Sequence, residues 1–188
     1  DILGDFFEGI IRTGFKQSKG QFFTHVNIVR FMLFALQVDK LAIKRIKDDK
    51  EIPYMIDPSA GSGTFLIEYM KFITENMKYK NKGGTRYNAY LGTARAVQDK
   101  LAEWFGIDNR ENRWAYTYIY GSEINFNLGT ATKVNMILHG DGSTNIFVRD
   151  GLLPFSRYEK ETSHNVVHDS HTEPLYSNKE VNERFDLI

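Results

Sequence analysis

The sequence contains no cysteine. That excludes a disulfide scaffold and any cysteine-ligated zinc site, and it suits a cytoplasmic chain. It has no apolar run near the roughly 20 residues that a membrane span requires. Its first residues, Asp1-Ile2-Leu3-Gly4, lack the basic start and long apolar core of a signal peptide. They also lack a methionine, so an excised or trimmed piece of a longer chain is expected. Neither sign of charge is in excess: Lys+Arg and Asp+Glu number 24 each. A protein that grips DNA unaided ordinarily carries a basic surplus, because neutralised phosphates supply much of the affinity. Neutrality argues against a self-sufficient DNA clamp and leaves DNA open as a substrate. No internal repeat is visible. What is present is 188 residues, 41% of them hydrophobic, enough for one globular domain with a buried core.

The hydrophobic pattern alternates between two periods. Ile2, Leu3, Phe6, Phe7, Ile10 and Ile11 recur at helical spacing and predict a helix over 2–15. After a polar break, a second helix is predicted from about Val26 to Val38, with Thr24 as its N-cap. It is apolar nearly all round, which predicts burial. Lys44 to Glu51 reads as a solvated charged stretch. Ile52 to Asp57 reads as a buried strand that runs through a glycine-rich turn into a helix with Leu66, Tyr69, Met70, Ile73 and Met77 on one face. Lys78 to Arg86, with Gly83-Gly84, reads as a loop. A helix over 91–105 follows. Tyr116 to Tyr120 reads as a strand with alternating tyrosines, ending in Gly121-Ser122-Glu123. Phe126 to Leu138 reads as a helix with Leu128, Ala131, Val134 and Ile137 or Leu138 on its inward face. Asn145 to Arg149 reads as a third strand. Ser156 to Arg184 is polar and turn-rich, and Phe185 to Ile188 begins another strand. Strand and helix in alternation predict an α/β fold with a largely parallel sheet.

Three features carry chemistry. Asp57-Pro58-Ser59-Ala60-Gly61-Ser62-Gly63 lies between a strand and a helix. Small residues there let a ligand approach the backbone, and the helix beyond offers free N–H groups. No Gly-Lys-Ser/Thr follows, which excludes a P-loop, and Phe65 or Leu66 stands where a dinucleotide fingerprint has its third glycine. Glu123, at the end of the next strand, is placed to accept the two hydroxyls of a ribose. Asp150, closing the third strand, is placed to accept the amino group of an adenine. Asp141, in a Gly-Asp-Gly turn, reads as a turn residue. His164, His168 and His171 fall in the polar loop without a carboxylate scaffold, and no metal is expected.

Taken together these segments resemble the N6-adenine DNA methylases, in particular the modification (methylase) subunits of type I restriction enzymes. Asp57 to Leu66 is similar to their cofactor motif, and Gly20-Gln21-Phe22-Phe23-Thr24 to the motif that precedes the sheet and contacts the methionine end of the cofactor. Gly121-Ser122-Glu123 resembles the ribose-binding motif and Asp150-Gly151-Leu152 the adenine-contacting one. Phe185-Asp186-Leu187-Ile188 resembles the strand leading into a catalytic Asn-Pro-Pro-Phe/Tyr tetrapeptide, which occurs nowhere in the chain. His25 departs from the pattern, standing where the family has proline.

The resemblance implies a Rossmann-like S-adenosylmethionine-dependent sandwich, C-terminally truncated, over residues 20–188, preceded by a helical segment over 1–19. It implies S-adenosyl-L-methionine as cofactor, held by Gln21, Phe22, Phe23, Thr24, Asp57, Ser59, Ala60, Gly61, Ser62, Gly63, Glu123 and Asp150. The implied activity is site-specific methylation of adenine N6 in DNA by the whole enzyme. Catalytic residues are expected after Ile188, so the 188 residues alone should be inactive. DNA is the implied substrate, with a specificity subunit and a restriction subunit as partners. The alternatives are a methyltransferase acting on a protein glutamine or an RNA base, and a non-catalytic cofactor-binding or scaffold module of a restriction complex. A nicotinamide dehydrogenase stands further off.

Overall fold

The structure is a computed structural model and describes residues 24–81, 84–106, 112, 114–140, 145–152 and 185–188. The helix predicted over 2–15, Asp141 and the polar loop from Ser156 to Arg184 lie outside the described residues.

Three parallel strands form the centre: β1 (Met55–Asp57), β4 (Ile119–Glu123) and β5 (Ile146–Val148), in the order β1-β4-β5. Met55 lies opposite Ile119 and Asp57 opposite Gly121, and Glu123 lies opposite Val148 in the next lane. On the other side of β1, Met55 bridges Leu187 in parallel. The chain therefore leaves β1 to one side and returns on the other, which makes the C-terminal end of β1 a switch point, where strand-end loops diverge and open a crevice. The α/β fold with a parallel sheet is thus as the alternation predicted.

Helix α3 (Thr64–Met77) packs on β1 and β4, and α6 (Phe126–Leu138) packs on β4 and β5. Helices α1 (Val26–Ala35) and α2 (Val38–Asp48) pack on α3. In α3, Leu66, Ile67, Met70, Ile73 and Met77 are fully buried, so most of its surface is enclosed. A helix α4 (Arg95–Phe105) and a single helical turn α5 (Ala115–Tyr118) lead into β4. Trp104, Phe105, Trp114, Tyr118 and Tyr54 form an aromatic cluster beneath that end of the sheet, with Tyr54 and Tyr118 centroids 4.8 Å apart.

Seven expectations need correction. Tyr116 to Tyr118 is helical, and the strand starts only at Ile119; Tyr118 turns into the aromatic cluster, so tertiary packing overrides the β preference of the tyrosines. The charged stretch is the end of α2, whose Val38, Ala42 and Ile46 recur every four residues and are fully buried. It is separated from α1 by Gln37 at φ 54°, which splits the single helix that had been expected. Lys78 to Arg86 is an antiparallel hairpin of β2 (Lys78–Asn81) and β3 (Gly84–Tyr87). Helix α1 is not buried all round: Val29 and Leu33 face α3, whereas Ile28, Phe31 and Phe34 are more than half exposed. Its N-cap is His25, whose Nδ1 accepts the Asn27 N–H at 3.2 Å, and not Thr24. Helix α6 begins and ends as predicted, but its inward face is Leu128, Thr132, Asn135 and Met136, with Val134 and Ile137 exposed.

Candidate functional site

The turn after β1 is built from backbone hydrogen bonds that few residue types allow. Asp57 Oδ1 accepts the Ser59 N–H at 2.9 Å and starts the turn. The Ala60 N–H donates to the Ser122 carbonyl at 2.8 Å, crossing to β4. The Gly61 N–H donates to Glu123 Oε2 at 3.0 Å, and the Gly63 N–H closes back on the Ala60 carbonyl at 2.7 Å. Gly61 and Gly63 have φ +56° and +84°, a region costly for any residue with a Cβ. A Cβ on Gly63 would also lie 2.9 Å from Thr132 Cγ2. Helix α3 then begins with a cap that has no side chain and a first turn without an acid. Its leading N–H groups lack a side-chain cap, and the partial positive charge of that end faces the turn.

Two acids stand at this end of the sheet. Glu123 is only 6% exposed. Its Oε2 takes the Gly61 N–H and its Oε1 the Asn125 N–H at 2.8 Å, so each oxygen keeps acceptor capacity for one further donor. Burial pushes the Asp57 carboxyl above its ordinary range; the Ser59 N–H opposes that and the charge of Glu123 adds to it. Two acids at one end of the sheet favour a cation or a donor-rich ligand beside them.

Asp57, Ser59 to Gly63 and Glu123 are therefore joined in one hydrogen-bonded unit. Ala60 and Ser62 are buried, and the Ser62 hydroxyl lies 2.9 Å from Thr64 Oγ1, so these two contribute backbone rather than side chain. Asp150 sits in the turn after β5, where its Oδ1 accepts the Leu152 N–H at 2.9 Å. That turn is pressed on the glycine loop, since a Cβ on Gly151 would lie 2.0 Å from the Pro58 carbonyl oxygen. Thr24 is exposed ahead of α1, and Gln21, Phe22 and Phe23 lie outside the described residues. Beside Asp57 a cavity of about 250 Å³ is lined by Met32, Leu36, Ile56, Phe65 and Ile188. Among the described residues no three His, Asp or Glu side chains cluster to hold a metal ion.

Sequence reasoning missed Thr132 and Asn135. Both are fully buried on α6. Thr132 Oγ1 donates to the Gly61 carbonyl, and Asn135 Nδ2 donates to the Ser62 carbonyl at 3.1 Å. The available signal was a threonine and an asparagine on the same helix face as Leu128 and Met136, in the helix that follows Glu123.

A parallel sheet whose switch point carries a glycine loop latched by an acid on the neighbouring strand defines an α/β protein with a candidate site at its strand ends. The chain belongs to the N-6 DNA methylase family, which it matches over residues 1–187. Among its relatives is the type II restriction enzyme and methyltransferase RM.BcgI of Heyndrickxia coagulans, 28% identical over 155 residues that cover 82% of this chain and 18% of the relative. Another is the type I restriction enzyme MjaVII methylase subunit of Methanocaldococcus jannaschii, 26% identical over 156 residues, 81% of this chain and 19% of that one. The chain thus spans less than a fifth of the length of these two relatives.

Proposed function

We propose that the chain is the cofactor-binding part of an S-adenosylmethionine-dependent DNA adenine-N6 methyltransferase of a restriction–modification system, and that residues 20–188 belong to a Rossmann-like sandwich. The observation that carries this reading is the Gly61–Glu123 latch at the switch point, backed by the family match and by two restriction–modification relatives. The residues suit the ligand's chemistry. Glu123 retains acceptors for a ribose diol, and Asp57, whose carboxyl is pushed up by burial with the charge of Glu123 adding to it, suits a ligand bearing positive charge. The open N-terminus of α3 suits its carboxylate. Asp150, in the turn against Pro58, is assigned the adenine amino group.

Bound there, S-adenosylmethionine supplies a methyl group already activated on a sulfonium sulfur. The chain's own part is to hold and orient that donor. Glu123 and Asp150 would hold the nucleoside, the glycine loop would let it approach the backbone, and Asp57 would attract its positive charge. Orientation is a large share of the rate for such a transfer. The target amine is buried in the duplex, so the base must leave the stack to meet the donor. The 188 residues contain no Asn-Pro-Pro-Phe/Tyr tetrapeptide to receive it. We assign that role, and recognition of the DNA sequence, to other parts of the enzyme, with a specificity subunit and a restriction subunit as partners.

The test is transfer of labelled methyl to adenine-containing DNA. The full-length gene product with its partner should form N6-methyladenine, and the 188 residues alone should transfer nothing. Label on cytosine, RNA or a protein glutamine in place of adenine would overturn the substrate assignment.

A further inference from the structure

We propose that Thr132 and Asn135 are positioning residues that aim a single backbone donor, the Ser62 N–H, at the bound ligand. The identity of that ligand rests on the reading above; the aiming rests on hydrogen bonds alone. The glycine loop has five N–H groups from Ser59 to Gly63. Those of Ser59, Ala60, Gly61 and Gly63 are taken by Asp57 Oδ1, the Ser122 carbonyl, Glu123 Oε2 and the Ala60 carbonyl. Among the described residues the Ser62 N–H has no partner.

Its direction follows from the peptide plane. The Gly61 C=O and the Ser62 N–H belong to one trans peptide and point in opposite directions. Thr132 draws that carbonyl toward α6, so the N–H is turned to the opposite face of the loop. Asn135 fixes the next carbonyl, that of Ser62, from the same helix. Glu123 fixes the preceding peptide through the Gly61 N–H. Three successive peptides are thereby clamped, and the middle one alone is left with an open donor.

The price in stability shows that this is not generic packing. Asn135 is fully buried, and among the described residues its Oδ1 has no hydrogen-bond partner. An unpaired buried amide oxygen is destabilising, and a leucine of similar size avoids it. What leucine cannot offer is the donor to Ser62. The single Thr132 hydroxyl proton is shared between the Gly61 carbonyl and, at 2.8 Å, the Leu128 carbonyl of its own helix; the Leu128 share is what buried helical threonines commonly make, whereas Gly61 lies 71 residues away in sequence.

The experiment compares Thr132→Val, Thr132→Ser and Asn135→Leu in the 188-residue chain by two readouts. The first is hydrogen exchange at the Gly61 and Gly63 amides without ligand. The second is S-adenosylmethionine affinity by calorimetry, set beside the melting temperature. We expect Thr132→Val and Asn135→Leu to speed loop exchange and to weaken affinity roughly tenfold, the value of one hydrogen bond. Asn135→Leu should do so with no fall in melting temperature, and Thr132→Ser should stay near wild type in both readouts. Unchanged exchange, unchanged affinity in both variants, or a Thr132→Ser protein as impaired as Thr132→Val would overturn the proposal. If exchange rises as expected but the wild type itself does not bind S-adenosylmethionine, the clamp stands and the cofactor assignment falls.

Discussion

The two ends of α3 carry two very different concavities. At its start lies the glycine loop with a cavity of about 250 Å³ beside Asp57. Beyond its end, about 20 Å away at 1.5 Å per residue, a groove of about 730 Å³ lies between α2 and the β2–β3 hairpin. The groove is the larger, but its walls are surface side chains such as Lys40, Lys44, Lys47, Tyr79 and Tyr90. The loop is smaller, and its polar partners Ser122, Glu123, Thr132 and Asn135 are all buried and bonded to backbone. Volume and buried polarity therefore point to different places in this protein. Buried polar groups are costly unless paired, and each of these four residues makes at least one of its hydrogen bonds to that loop.

The comparison is broken most severely at Gly63. Gly63→Ala places a Cβ in a left-handed backbone and against Thr132 Cγ2, which should cost about 1–3 kcal/mol and lower the melting temperature by several degrees. Cofactor affinity should fall below detection. A variant that melts and binds like wild type would show that the loop is not rigid.

Next in size is Glu123→Gln. The amide keeps one acceptor oxygen, so its NH₂ must face the Gly61 or the Asn125 N–H. A charged buried hydrogen bond is worth about 1.5–3 kcal/mol, so calorimetry should show affinity lower by about 10- to 100-fold. Unchanged affinity would place the ribose elsewhere.

Asp57→Asn sharpens the electrostatic half of the account. The folded-state pKa of Asp57 is raised above 3.8, so the folded chain holds that proton more firmly than the unfolded chain. Ionisation then costs stability, and the cost appears as pH rises from 3.8 through the raised value and persists above it. Asparagine keeps the acceptor for the Ser59 N–H and removes the charge. Thermal melts across the acid range should show the variant as stable as wild type or more so above that window, while calorimetry at neutral pH shows weaker cofactor binding. Lower stability at neutral pH would contradict the raised pKa. The smallest effect belongs to the groove: Lys44→Glu with Lys47→Glu should change stability by no more than about 0.5 kcal/mol and leave cofactor affinity within about twofold. A large loss of binding would make the groove part of the site.

The residues that sequence reasoning picked out best are those whose chemistry is local. A glycine loop between strand and helix, and an acid at a strand end, announce themselves by residue type and position, and Asp57, Ser59 to Gly63 and Glu123 do form one unit. Whether that unit binds the cofactor is what the variants above measure. What was not legible depends on partners far along the chain. Tyr118 is helical because Tyr54 and Trp104 receive its ring. The inward face of α6 carries Thr132 and Asn135 between Leu128 and Met136, where they donate to Gly61 and Ser62, and no period in the helix itself reveals that. Helix α2 was hidden by its lysines and aspartates, although Val38, Ala42 and Ile46 repeat every fourth residue. In α1 hydrophobicity alone overstated burial, since one face packs and the other is exposed.

The central claim is that the strand-end unit of Asp57, the glycine loop and Glu123 binds S-adenosylmethionine. Titration calorimetry of that compound into the 188-residue chain tests it most directly, with NADH titrated in parallel. The account predicts saturable binding of S-adenosylmethionine at one site, weakened by Glu123→Gln, and no binding of NADH. An absence of heat at millimolar S-adenosylmethionine with a folded wild-type chain, or saturable binding of NADH, would contradict it.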